Sequence, residues 1–295
     1  MAFVGRNGNN LLRFFNYKLL KDDSPFAVKF LLPGFSYADL DRTGEVNLCH
    51  LNRLLEMGFL PYASRNMMSS SNLKKGSVLV MLGQSFTVQP RFAKYFALDF
   101  PMELESRLVA VSKSTIVRRV SLSEVKTKSV LVSSLQKLVH MDVVTKKSCP
   151  LTPRILDMCR GIESTDDDDT FRSITAQQPP SRSFTSTQMI KHSDMDCLMH
   201  TNQGAYLRFA FDSLAEATSQ NAFSVIKRDV CNYQALSANA LHMTESFAGD
   251  LLDIKVWDDE TDPYVLHCAM SKNKANVYYV NIKLTENVNN SAYSI

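Results

Sequence analysis

No uninterrupted apolar run in this sequence approaches the roughly eighteen residues that a membrane-spanning helix needs, which excludes a helical membrane protein. There is no C-x-x-C pair and no His/Cys cluster at zinc-ligand spacing, so no metal site is expected. No glycine-rich loop is present that would cradle a phosphate, and no bound cofactor is expected. Charge of one sign is also missing: the net charge is only +3 and the basic residues are scattered, which argues against a nucleic-acid binder. The N-terminus has no apolar core of a secretory signal, and the C-terminal Tyr-Ser-Ile is not the Ser-Lys-Leu peroxisomal address. Arg6, Arg13, Lys18 and Lys21, with Leu11, Leu12, Phe14 and Phe15, keep a mitochondrial presequence open as the alternative to a cytoplasmic protein. The absence of serine before Ser24 counts against it. Six cysteines (49, 149, 159, 197, 231 and 268) are read as reduced thiols, because a chain this long needs no staples.

What is present is enough apolar sequence for a real core and enough length, 295 residues, for two ordinary domains. The clearest break in composition runs from Glu163 to Thr187. It holds the acidic run at 166–169, then Gln177, Gln178, Pro179 and Pro180, then Ser/Thr-rich sequence. It reads as a solvated linker. The expected plan is an N-terminal segment at 1–27, a first domain at 28–160, a polar linker at 161–187 and a second domain at 188–295.

The two parts share a motif. Asp39-Leu-Asp41-Arg-Thr-Gly-Glu45-Val-Asn47 lies without a gap on Asp194-Met-Asp196-Cys-Leu-Met-His200-Thr-Asn202, with both aspartates and the asparagine coinciding. The same register puts Arg53 on Arg208. A helical pattern follows each motif: Leu48, Leu51 and Leu55 in the first, and Leu207, Ala210, Phe211, Leu214 and Ala217 in the second. Strand patterns come next, over 104–111, 115–122 and 130–141, then over 252–256, 264–270 and 275–284. Motif, helix and antiparallel meander, twice over, predict an α+β fold.

This order resembles the hotdog-fold thioesterase superfamily over residues 28–145 and 184–285. The second motif, with Tyr206, is similar to the D-x-D-x-x-x-H-x-N-x-x-x-Y pattern of acyl-ACP and related thioesterases. The first is similar to the D-x-D-x-x-G-x-V pattern of the 4-hydroxybenzoyl-CoA thioesterase type. The resemblance implies two tandem hotdog domains, each a curved antiparallel sheet wrapped around a central helix. It also implies hydrolysis of an acyl-CoA or acyl-carrier-protein thioester to a free carboxylic acid and a thiol. Asp196 falls on the catalytic carboxylate, nucleophile or base, at the start of a helix whose N–H groups favour a developing oxyanion. His200 would orient water or polarise the carbonyl, and Asp41 is the counterpart of Asp196 in the first half. Asp194, Asn202, Tyr206, Asp39, Glu45 and Asn47 are supporting or substrate-contacting candidates. A further carboxylate from the following strand points to Glu245, in a register the sequence does not fix.

Each residue also has a plainer reading. Asp194 and Asp196 suit turns and helix starts, Asn202 suits an N-cap, and Tyr206 suits core packing. Leu198 stands where acyl-ACP thioesterases carry asparagine, and Glu45 stands at the His200 position of the first motif. The alternative to an enzyme is therefore a catalytically silent acyl-binding or scaffold protein. A hydratase of the D-x-N-P-x-H type is disfavoured, because Met195 lies five residues before His200 and no proline intervenes. Homo-oligomers of the double-hotdog unit stay open.

Overall fold

A computed structural model describes residues 18–20, 26–35, 39–42, 46, 48–57, 73–90, 92, 101–162, 174–196 and 199–286. The chain forms two compact units. One comprises residues 1–36, 54–85 and 94–173, and the other residues 37–53, 86–93 and 174–295. They are not two consecutive halves, since residues 37–53, which carry the first motif, group with the second unit.

The first unit is built on strands in the order β1 (Lys18–Leu20), β2 (Ala27–Leu32), β4 (Met102–Val111), β5 (Thr115–Glu124), β6 (Val130–Asp142) and β3 (Ser77–Val88), with antiparallel neighbours from β1 through β6. In β4 to β6 the residues of one parity are buried: Leu104 and Leu108, Ile116, Val120 and Leu122, Val132 and Leu138. Each such side chain contributes roughly 1.5–3 kcal/mol when fully withdrawn from water. The same face carries Arg118 directly across from Gln136, with Ser134 taking a hydrogen bond from Gln84 at 3.2 Å. A short helix, α2 (Pro153–Met158), follows, with Thr152 as its N-cap.

The second unit has strands in the order β8 (Tyr233–His242), β11 (Ala275–Glu286), β10 (Val265–Lys272), β9 (Leu251–Asp258) and β7 (Phe184–Met189), all neighbours antiparallel. Helix α3 (Gln203–Ser219) packs on β7, β9 and β11. Its buried residues include Ala205, Leu207, Phe209, Ala210, Leu214 and Ala217, and the sheet buries Leu252, Ile254, Val256, Leu266, Val280 and Ile282 at alternate positions of its strands. Phe209 is buried while Phe211, expected on the core stripe, is only half-buried, because it stands at the edge of a buried arc centred on Ala210, Ser213 and Ala217. The shorter helix α1 (Leu48–Met57) buries Leu48, Leu51 and Leu55 as its spacing predicts.

The stretch read as a linker is not wholly solvated. Its end, from residue 184, is strand β7, and a backbone hydrogen bond from Gln177 reaches the Tyr279 hydroxyl. That hydroxyl also bonds His267 Nδ1 at 2.7 Å, while His267 Nε2 bonds Asp259 at 2.9 Å and the ring stacks on Trp257. Residues 163–173, including the acidic run, lie outside the described residues. Among the described residues no helix is long and apolar enough to cross a membrane.

Candidate active site

The loop from Asp194 to Asn202 closes on itself in three tiers. Outermost, the Asn202 N–H donates to Asp194 O at 2.8 Å. Met195 and Thr201 then form an isolated antiparallel bridge. Innermost, the Asp196 N–H donates to His200 O at 2.8 Å, and the His200 N–H returns a bond to Asp196 Oδ1 at 3.1 Å. Met199 takes a positive φ of 63° to complete the turn. In the first half Leu40 and Val46 form the equivalent bridge, and α1 starts at the position that matches the start of α3.

Asp194 is buried and wholly occupied. Its Oδ2 accepts the Lys191 N–H at 2.8 Å, and its Oδ1 accepts Arg208 Nη2 at 2.5 Å. These two bonds tie the start of the loop to helix α3. Asn202 is the N-cap of α3, its Oδ1 accepting the Gly204 N–H at 2.8 Å, which takes up one of the helix-start donors. Gly204 itself leaves room for Arg53, since a Cβ there would lie 3.0 Å from Arg53 Cγ.

His200 is about one-third exposed, packs on Phe247 with ring centroids 5.5 Å apart, and places Nε2 3.4 Å from Glu245 Oε1. Glu245 lies just beyond the end of β8. The residues next along in both segments are tied together: Thr201 N–H and Oγ1 both donate to Ser246 O, at 3.1 and 2.8 Å. The Ser246 hydroxyl is fully buried between Thr201 Oγ1, 2.9 Å away, and the Tyr206 hydroxyl, 2.6 Å away. Tyr206 also stacks on Tyr278 at 4.9 Å, with His242 edge-on to both rings. Burial raises the Tyr206 phenol above its ordinary range, so it acts as a neutral hydrogen-bonding group. Burial also lowers the His242 imidazole to about 4. Thr201, Ser246, Phe247 and His242 carry no signal in the sequence, because their roles depend on strand register.

Of the first motif, Asp39 and Asp41 are half-buried, while Glu45 and Asn47 lie outside the described residues. Arg42 forms an ion pair with Asp229, within the second unit, and this bond raises the guanidinium pKa further. Asp229 is pushed up by its own burial, but Arg42 and the Cys231 N–H more than offset this and hold its carboxyl low.

Among the described residues no cysteine is in a disulfide, and burial pushes Cys49 and Cys231 up to about 12 and Cys159 to about 11. They are poor nucleophiles at neutral pH. Cys197 and Leu198 lie outside the described residues. Among the described residues no group of three or more His, Cys, Asp or Glu side chains is arranged to hold a metal ion. The arrangement offers an aspartate and a histidine on one tight loop, a glutamate facing the histidine, and the start of a helix directly behind them.

No protein-family model and no curated protein matches the sequence. Solved structures are. An acyl-ACP thioesterase from Bacteroides thetaiotaomicron VPI-5482 superposes with a TM-score of 0.67 at 15% identity, covering 88% of this chain and 98% of its own. The 12:0-ACP thioesterase from Umbellularia californica superposes with a TM-score of 0.72 at 11% identity, covering 91% of this chain and 100% of its own. At these identities the likeness is one of architecture, and it spans nearly the whole of each protein: the chain shares the fold of these two acyl-ACP thioesterases.

Proposed function

We propose that this protein hydrolyses an acyl thioester at a site made by Asp196, His200 and Glu245. The observation that carries the reading is the approach of His200 Nε2 to Glu245 Oε1 on the loop that also presents Asp196, directly ahead of helix α3. A carboxylate facing one ring nitrogen fixes the orientation of an imidazole and leaves the other nitrogen for a water or a carbonyl group. Asp196 then acts in one of two ways. It adds to the thioester carbonyl, expelling the thiolate and leaving an anhydride that water opens, or it removes the proton of the attacking water. Either route forms a C–O bond, breaks the C–S bond and ends in a carboxylic acid and a thiol. The N-terminus of α3 begins directly after this loop, and its partial positive charge favours a developing oxyanion on the thioester.

The two halves are proposed to be tandem hotdog repeats. The matching bridges, Leu40 with Val46 and Met195 with Thr201, and the matching helix starts support this. The substrate class is a fatty acyl group on carrier protein or on CoA, and no cofactor takes part. The active site assigned to the second motif leaves Asp41 as the centre of a second, altered copy.

A second reading has one observation in its favour. Asp196 Oδ1 accepts the N–H of its own loop, which a purely loop-closing aspartate would also do. On that reading the protein binds acyl groups without turning them over. The deciding experiment is thiol release from acyl-CoA and acyl-carrier-protein panels of graded chain length, with wild type compared against Asp196→Asn. Turnover that collapses in the variant establishes the hydrolase. Absence of turnover in folded wild type, with acyl ligands still bound, establishes the silent binder. If Asp196 is the nucleophile, single turnover in oxygen-18 water leaves the label in Asp196 after the anhydride opens at the aspartyl carbon.

A further inference from the structure

Three loops of the first unit meet at one end of its sheet: residues 73–77, 112–115 and 142–148. The Val143 N–H donates to Gly76 O at 3.0 Å, the His140 N–H to Ser114 O at 2.8 Å, and the Leu151 N–H to Lys113 O at 2.8 Å. Together they carry five lysines, Lys74, Lys75, Lys113, Lys146 and Lys147, all exposed, and a single carboxylate, Asp142. That carboxylate is engaged within its own turn, with Oδ1 accepting from the N–H groups of Val144 at 3.1 Å and Thr145 at 2.9 Å and from Thr145 Oγ1 at 3.1 Å. At the apex stand two valines, Val143 at 46% exposure and Val144 at 88%.

The apex is stiff. The Asp142 N–H bonds Lys147 O at 3.0 Å and the Lys146 N–H bonds Asp142 O at 2.9 Å. Below it, His140 is fully buried, with Nδ1 2.9 Å from Pro150 O and Nε2 2.6 Å from Ser77 Oγ, which itself donates to Lys74 O at 2.5 Å. The valines therefore cannot fold back to hide themselves. A rigid apolar tip ringed by lysines has the layout of a group that dips into the boundary of a bilayer while its cations stay at the level of the phosphates.

We propose that this end of the first unit docks on an anionic lipid surface, with Val143 and Val144 entering the headgroup layer and the lysines meeting lipid phosphates. An acidic protein would satisfy the lysines equally well, but would need a pocket matched to the two valines, whereas a bilayer accepts them without one. The proposal does not depend on the thioesterase reading, because it rests on residues of the other unit and on another chemistry.

The test is co-sedimentation of the full-length protein with vesicles of phosphatidylcholine alone or of phosphatidylcholine mixed with phosphatidylserine, at low and high salt. Binding is expected only to the mixed vesicles, and to weaken as salt screens the lysines. Reversing Lys75 and Lys147 together (Lys75→Glu with Lys147→Glu) should lower partitioning by more than about tenfold. Val143→Ser with Val144→Ser should lower it while leaving the charge unchanged. All four positions are at the surface, and an unchanged circular dichroism spectrum certifies each variant. Equal binding to neutral vesicles, no binding to either, or variants that bind like wild type would overturn the proposal. So would capture of an acidic carrier protein by this face in the absence of any vesicle binding.

Discussion

Arg208 on helix α3 reaches back fourteen residues to place Nη2 2.5 Å from Asp194 Oδ1, and Asp39 and Arg53 recur at the same separation in the first half. The pair joins the closed loop to the helix that follows it, with the carboxylate buried and the guanidinium partly exposed. Removing Arg208 leaves the Asp194 charge in a buried setting with only the Lys191 N–H for company. Arg208→Met is therefore expected to cost about 2–4 kcal/mol, and Asp194→Asn a similar amount. The double variant should cost less than the sum of the two. A double-mutant cycle of urea unfolding measures this, and strict additivity would show that the two groups do not interact.

The pairing of His200 with Glu245 makes a kinetic prediction. If Glu245 only orients the imidazole, Glu245→Gln keeps a hydrogen-bond acceptor and loses less activity than Glu245→Ala. His200→Ala should lower kcat by about 10²–10⁴-fold, the span usual for a positioned acid or base. KM should change little in all three, because the imidazole is assigned to the chemical step and not to holding the acyl chain. Loss confined to KM would place His200 in substrate binding instead.

The sequence carries the motif loops, both helices that follow them and the meander strands, because alternation in β9 or β11 and the 3.6-residue spacing in α3 are imposed by burial on one face. It does not carry β3 or β8. In β3 an apolar run is broken by Gly83, Gln84 and Ser85, and in β8 small residues such as Ala235, Ser237 and Ala238 blunt the contrast between faces. The site divides in the same way. Asn202 as an N-cap and Asp194 as an acceptor for a nearby backbone N–H are both local chemistry, and they are seen as such. The contact between His200 and Glu245 is set by how a segment forty-five residues away is registered, and no local rule fixes that. Arg208 matched Arg53 in the repeat, but what the match means becomes clear only when Asp194 is seen at its end.

Ser246 holds the segment bearing Glu245 against the loop bearing His200. Its hydroxyl meets Thr201 and Tyr206, and its carbonyl takes two bonds from Thr201. Ser246→Ala leaves the buried Tyr206 hydroxyl without this partner and is expected to cost about 1–3 kcal/mol. Tyr206→Phe removes the stranded group as well and should cost less. Because Ser246 is a positioning residue, kcat should fall in Ser246→Ala while KM holds, and Tyr206→Phe added on top should restore stability without restoring kcat. A uniform change in stability with unaltered kcat would confine Ser246 to packing.

His242 sets an acid limit on stability. Its imidazole sits among Tyr206 and Tyr278, and burial lowers its pKa from 6.5 to about 4, with Nε2 buried and lacking a hydrogen-bond partner. The folded state therefore resists a proton that the unfolded chain accepts. Between these two values the unfolded chain binds more protons, so stability falls as pH drops through 6.5 and levels off below about 4. The loss attributable to this one group is on the order of 3 kcal/mol. His242→Phe keeps an aromatic ring in the cluster and removes the titration. Thermal unfolding of wild type and His242→Phe at a series of pH values between 7 and about 4 measures the difference. The variant should lose less stability on acidification, and parallel curves would mean that His242 takes up its proton at the same pH in both states.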